Sequence, residues 1–240
     1  MRVIDVPASA GLAWIKMSFA MFRVQPVGWI SLMLAWLMAT LGLSVIPLIG
    51  TAIASILQAG FFAGFVIAAR DQGAGQPVGV HQLLAGFRAN GRALLTIGSI
   101  TLLANMMVVV ILGLLGLPLN IAPDAEGVPD LRAYARALEG KELLLWLGMC
   151  LTLLVKGVLW FTAALLALNQ MPAVHAIRWS FYALIANFLP MLVFGAVFTV
   201  MFILGTLPLL LGLLVVMPLF AIAHFVSYRE LFRPSEAPET

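Results

Sequence analysis

Charge is scarce in this chain. Of its 240 residues 10% are charged and three are histidines, while 63% are apolar and the mean hydropathy is +1.09. A water-soluble enzyme of that composition would aggregate, so an ordinary cytosolic globule is excluded. The 13 Lys+Arg stand against 10 Asp+Glu, and a net charge of +3 is too small to neutralise a run of phosphates. No nucleic-acid partner is expected. One cysteine, Cys150, removes both an intrachain disulfide framework and a thiolate metal cluster.

Chemical signatures are also missing. The chain has no Walker motif, no dinucleotide fingerprint, no HExxH and no GxSxG. His81, His175 and His224 lack metal-ligand spacing and fall near expected span boundaries, where solvated or interfacial imidazoles account for them. The expectation is a noncatalytic protein with no cofactor and no metal. A lipid-modifying enzyme is a further alternative, and would require a polar pocket that the linear pattern does not display.

What the sequence does have is long apolar runs. About 20 apolar residues cross the hydrocarbon core, and six stretches qualify: 27–46, 48–69, 94–117, 143–168, 188–206 and 207–227. Pro47 separates the first two, because proline lacks an amide hydrogen and restricts the residue before it, which favours a tight turn over one long helix. Gly205 and Pro208 mark a second hairpin turn. The helical spacing of 131–142 runs into the fourth stretch, so those two are expected to form one long helix. The fold class is all-α, a polytopic transmembrane bundle.

Residues 1–26 lack the pattern of a cleaved signal, so the N-terminus is expected to be retained. With six crossings both termini lie on one side. Nine of the 13 cations group with them, Arg70, Arg88, Arg92, Arg178 and Arg229 included, whereas the other side holds Arg132, Arg136 and Lys141. The positive-inside bias places the termini and basic loops in the cytoplasm and the 118–140 loop in the periplasm. Arg70, Arg88, Arg92, Arg178 and Arg229 are the candidate contacts to lipid headgroups.

Three stretches, 11–25, 79–93 and 172–187, mix apolar residues with cations ahead of the first, third and fifth spans and suit interfacial helices. In the first, Leu12, Ile15, Phe19 and Phe22 form the expected apolar stripe, off which Lys16 and Arg23 project. Joined to the following hairpins, they give units 9–70, 77–168 and 172–230. Phe22-Arg23 is echoed by Phe87-Arg88, and Gln76-Pro77 by Met171-Pro172. The pattern reads as a parallel threefold repeat or as independent helices. A parallel repeat differs from the inverted repeats of many secondary transporters.

Lys156 is the sharpest signal. It lies 13 residues before Asn169, roughly 20 Å along a helix and so near mid-bilayer. Asn105 and Gln58 reach similar depth, giving a candidate midplane polar layer of Lys156, Asn105 and Gln58. That layer reads as structural glue or as a solute pathway; the alternative is a lysine that snorkels to the interface. In the second span Ser55, Ala59 and Ala63 form one ridge of small residues and Gly60, Gly64 and Ala68 the next, which marks that helix as central in the packing. Trp14, Trp29, Trp146 and Trp179 fall near expected interfaces, Trp36 and Trp160 deeper.

Over nearly its whole length the chain resembles an uncharacterised family of proteobacterial multi-pass inner-membrane proteins of similar length. The resemblance rests on Pro47-Leu48-Ile49-Gly50, Ala59-Gly60-Phe61 with Gly64, Leu83-Leu84-Ala85-Gly86-Phe87, and Tyr228-Arg229-Glu230-Leu231-Phe232. It implies an inner-membrane location and no mechanism. The leading expectation is a membrane module that interacts with lipids, with a membrane-protein partner or with copies of itself. The runner-up is a small-solute permease using the midplane layer.

Overall fold

The computed structural model describes residues 1–47, 49–119, 131–207 and 209–233. Six helical segments among them are long and apolar enough to cross a bilayer: Pro26–Ser44, Ile49–Gly73, Val80–Leu114, Glu142–Asn169, Phe188–Thr206 and Leu213–Leu231. The chain is an all-α polytopic bundle. Its elements are β1 (Arg2–Val3), α1 (Ala10–Val24), α2 (Pro26–Ser44), α3 (Ile49–Gly73), a 3-10 turn (Val80–Leu84) leading into α4 (Ala85–Leu114), α5 (Leu131–Leu138), α6 (Glu142–Val158), α7 (Thr162–Asn169), α8 (Ala173–Ala186), α9 (Phe188–Thr206), α10 (Leu213–Leu231) and β2 (Phe232–Arg233).

By internal contact the chain divides into two bodies, Met1–Ser99 with Val158–Thr240, and Ile100–Gly157. In the smaller, Gly148 of α6 faces Leu112 of α4 so closely that a Cβ there would lie 2.6 Å from Leu112 Cδ1. Lys141 Nζ donates to the Gly116 carbonyl at 2.5 Å. The expected single helix over 131–168 is broken twice. Gly140 adopts φ +74, which only a residue without a side chain takes easily, and α5 ends there. A second break, at 159–161, separates α6 from α7. Of the expected 118–140 loop, residues 120–130 lie outside the described residues.

In the larger body the core is gathered at one end. Buried residues occupy the starts of α2 (Trp29, Leu32, Met33) and α9 (Pro190, Phe194), the second half of α3 and most of α10 and α7, with Gly50 and Gly205 buried at the far ends. The far ends expose apolar chains such as Val45, Ile49, Ile203 and Leu209. In water such a surface would be costly; in a bilayer it faces acyl chains, and helical segments satisfy their backbone groups internally. The last span begins at Leu213 rather than 207, because Leu209 and Leu210 turn through left-handed backbone. It ends at Leu231, four residues past the expected Ser227.

Helix α1 buries Ala10, Gly11, Trp14, Ser18 and Phe22; of its apolar stripe Phe22 is buried, Ile15 half-buried, and Leu12 and Phe19 are exposed. The small side of the helix turns inward because Gly11 packs against α9: a Cβ there would collide with the Pro190 carbonyl. Trp14 and Trp29 are fully buried inside the fold rather than half in lipid. Their indole N–H groups are matched inside the fold, Trp14 donating to Glu230 Oε2 at 2.5 Å and Trp29 to Gln72 Oε1 at 3.0 Å.

Three junctions share one construction. Gln25 (φ −141, ψ 58), Asn90 (φ −156, ψ 59) and Asn187 (φ −119, ψ 36) each interrupt helical backbone between an amphipathic helix and the span after it. Each uses its amide on a distant backbone. Gln25 accepts from the Val78 amide at 2.7 Å and donates to the Gln76 carbonyl at 3.3 Å. Asn90 donates to the Leu166 carbonyl at 3.3 Å. Asn187 accepts from Val6 N and donates to the Ile4 carbonyl, both at 3.0 Å. Seven residues beyond each junction stands a buried core side chain: Leu32, Ile97 and Phe194. The amphipathic segments pack in matching fashion, the 3-10 turn on α3, α8 on α7 and α1 on α10. The two-residue strands pair Arg2 with Arg233 and Val3 with Phe232, antiparallel, joining the chain's two ends.

Candidate functional site

Two places in the larger body combine polar groups with accessible or enclosed space. The first lies on α8 beside β1. An open pocket of about 710 Å³ is lined by Met1, Arg2, Val3, His175, Arg178, Trp179, Phe181 and Tyr182. The helix supplies it because His175, Arg178 and Tyr182 follow at intervals of three and four, one face of a helix, while Ala176, Ser180 and Ala183 turn inward. Trp179 and Tyr182 meet edge to face, ring centroids 6.3 Å apart. Guanidinium and imidazole groups set among amphipathic rings can hold an anionic oxygen at a membrane surface.

The second place is the aromatic interior around the α6–α7 break. The break frees backbone groups, and Ser180 Oγ accepts the Phe161 amide at 2.9 Å. Here Trp160, Phe161 and Phe62 surround His224 of α10. The imidazole is 1% exposed, with Phe62 edge-on at 4.5 Å, Trp160 at 5.2 Å and Phe161 at 5.5 Å between ring centroids. Among the described residues, the buried side-chain atoms without a hydrogen-bond partner are Trp160 Nε1, Thr162 Oγ1 and both nitrogens of His224. His224 was expected at a solvated boundary. It is instead seven residues inside the end of α10, because that helix continues to Leu231.

Next to this interior lies a cavity of about 120 Å³ between α2, α3 and α10, lined by Met33, Trp36, Gln58, Phe62, Phe65, Met217, Phe220 and Ala221. A second pocket of about 250 Å³ shares Trp36 and Gln58 with it and adds Thr40, Ser44, Thr51, Ala54 and Ser55. Together they form a groove between α2 and α3 whose polar side is hydroxyls and one amide. Thr40, Ser44 and Ser55 each donate to a carbonyl three or four residues earlier in their own helix, leaving oxygen lone pairs toward the groove.

Of the expected midplane layer, Gln58 lines this groove. Asn105 donates to the Thr101 carbonyl one turn earlier at 2.9 Å, and Lys156 is exposed on α6. Gln58 belongs to the larger body and the other two to the smaller. In α3 the small residues allow close approach. The Phe87 ring covers Gly60, and a Cβ on Gly64 would stand 2.5 Å from the Gln82 carbonyl oxygen. Ala63 and Ala68 are fully buried, Ala59 and Ser55 half-buried. The candidate headgroup arginines, Arg70, Arg88, Arg92, Arg178 and Arg229, are all exposed. Arg70 pairs with Asp71 at 2.7 Å, and Arg229 lies over the Phe225 ring at 5.8 Å.

A bundle of six apolar spans with an acyl-chain-facing rim defines a multi-pass integral membrane protein. The chain is 30% identical over 186 residues to a probable inner membrane protein of Burkholderia thailandensis, an alignment covering 75% of this chain and 68% of that relative. It belongs to the family of that proteobacterial inner-membrane protein. No family model matches the chain, and no solved structure matches it.

Proposed function

We propose that this protein is a noncatalytic inner-membrane module that binds anionic phospholipid headgroups at its basic end. The observation that carries the reading is the α8 pocket, where Arg178, His175 and Arg2 stand beside Trp179 and Tyr182. Lys16 and Arg23 on α1, with the Arg23 guanidinium 5.3 Å from the Phe19 ring centre, extend the same chemistry. The positive-inside bias supports a cytoplasmic position for this end and for both termini. The common junctions at Gln25, Asn90 and Asn187 support a scaffold of three like units, 9–70, 77–168 and 172–230. The apolar rim offers a surface to a membrane-protein partner or a second copy of the chain.

The test is native mass spectrometry of the protein released from lipid particles containing phosphatidylglycerol and phosphatidylcholine. Bound phosphatidylglycerol should predominate and should fall in the Arg178→Gln, His175→Gln double variant. An unchanged lipid complement would refute the reading.

A second reading, a small-solute permease, is favoured by Gln58, which lines both pockets of the hydroxyl-lined groove. The midplane layer of Lys156, Asn105 and Gln58 belongs to it. Solute flux into vesicles carrying the protein, compared with Gln58→Leu, tests it directly.

A further inference from the structure

We propose that the interior beside His224 is a gated binding site for a small, uncharged solute able both to donate and to accept hydrogen bonds, of the size class of urea or glycerol. It concerns occupancy rather than flux, and it does not depend on the lipid-binding reading.

A buried polar atom without a partner loses its hydrogen bond to water and gains nothing in exchange. Native cores keep such atoms few, and a cluster of them calls for an explanation. Here the rings that carry Trp160 Nε1 and the two His224 nitrogens lie against each other, and Thr162 follows Phe161, whose ring also meets His224. Neutral imidazole offers one donor and one acceptor, indole one donor, and a threonine hydroxyl both. That set suits a molecule with the same mixture.

Space lies on the other side of two rings. Phe62 lines the 120 Å³ cavity and stands edge-on to His224; Phe220 lines it too and stands edge-on to Trp160, 5.2 Å between centroids. These two phenylalanines each touch both the cavity and a ring that carries the polar atoms, and in the proposed site they are the gate. A cavity of that volume has room for about four waters at ~30 Å³ each, or for one solute of a few heavy atoms. Gln58, one turn before Phe62 on α3, opens onto both the cavity and the hydroxyl groove, which supplies the approach.

Charge is excluded by the lining. Neither pocket of the groove is lined by Asp, Glu, Lys or Arg, and the other walls are Met, Phe, Trp and Ala. An ion entering would be stripped of water without a counter-charge. The α6–α7 break places Trp160 here, since an uninterrupted helix would turn residues 159–161 differently.

The test is the indole N–H resonance of Trp160, assigned by loss of its signal in Trp160→Phe, in the full-length ¹⁵N-labelled protein in lipid nanodiscs. Titration with urea and with glycerol should give a saturable shift of that signal. Acetate should give none. Thr162→Val, which keeps the side-chain shape and removes the hydroxyl, should weaken the response, and Phe62→Ala should speed exchange of the indole proton in D₂O. A shift that grows linearly without saturation for both neutral probes, or an equal response to acetate, would overturn the proposal. So would an indole proton that stays unexchanged over days in both wild type and Phe62→Ala, the behaviour of a dry aromatic core. If Thr162→Val changes the fold, His224→Phe read by the same signal serves in its place, with loss of saturation expected and retention contradicting the assignment.

Discussion

Asn187 grips the backbone of Val6 across 181 residues of sequence. Its Oδ1 accepts the Val6 amide at 3.0 Å while its Nδ2 donates to the Ile4 carbonyl at the same distance. The residue is fully buried, so removing its amide strands two backbone groups. Asn187→Ala should therefore destabilise the protein by about 1–3 kcal/mol. Thermal denaturation in detergent, followed by monomer loss on size exclusion, reads the effect. Gln25→Ala, at a half-buried junction, should cost less. Equal stability of both variants and wild type would show that these clasps contribute nothing.

Close approach of α3 to the 3-10 turn gives the second prediction. A Cβ on Gly64 would meet the Gln82 and Leu83 carbonyl oxygens at 2.5 and 2.6 Å, and backbone oxygens cannot move aside as a side-chain tip can. Gly64→Val should cost at least ~1–3 kcal/mol and lower the yield of folded protein. Gly42→Ala on α2 meets nothing within 4 Å and should be neutral or slightly stabilising, since alanine is the better helix former. A fluorescent fusion assayed for monodispersity after extraction separates the two.

Much of this architecture is legible in the sequence because bilayer thickness imposes a length on each apolar run. Pro47 and the Gly205 region mark the hairpins for the same reason. What the pattern hides is which side of an apolar helix faces protein. In lipid the outward face is as apolar as the inward one, so the stripe Leu12, Ile15, Phe19 and Phe22 on α1 mixes an exposed side with the buried Phe22 and does not mark Gly11, Trp14 and Ser18, which are also buried. Tryptophan misleads similarly: Trp14 and Trp29 have the position of interface residues but find partners in Glu230 and Gln72. His224 is hidden by a boundary. Ending the last span at Ser227 puts the imidazole at the surface, whereas the helix runs on to Leu231 and carries it two turns inside. Its one sequence signal was a polar residue flanked by uninterrupted apolar neighbours.

Orientation can be tested with the chain's own chemistry. Cys150 is the sole cysteine, so Cys150→Ser provides a cysteine-free background. Gln76, Glu139 and Arg178 are exposed sites for single replacements. In intact spheroplasts a membrane-impermeant maleimide should label Glu139→Cys and leave Gln76→Cys and Arg178→Cys untouched until the membrane is permeabilised. The reverse pattern would invert the topology and take the α8 pocket away from the cytoplasmic leaflet.

Lys156 supplies the last prediction. A cation in the middle of a spanning segment costs about 2.5–3.5 kcal/mol on insertion scales. A lysine that earned its place through a polar layer would be held by acceptors. Asn105, the layer candidate in the same body, donates its amide hydrogen to the Thr101 carbonyl within its own helix, and Lys156 itself is exposed on α6 with no hydrogen bond or ion pair among the described residues. Its long stem can carry the ammonium along the helix toward the headgroups. Lys156→Met should therefore keep the fold and the bound-lipid complement, shift stability by no more than ~0.5 kcal/mol, and improve membrane integration of the α6 segment. Denaturation, native mass spectrometry and a glycosylation-site insertion assay measure these in turn. If the variant folds and assembles normally yet vesicles lose solute flux, the lysine is part of a pathway, and the permease reading displaces the lipid-binding one.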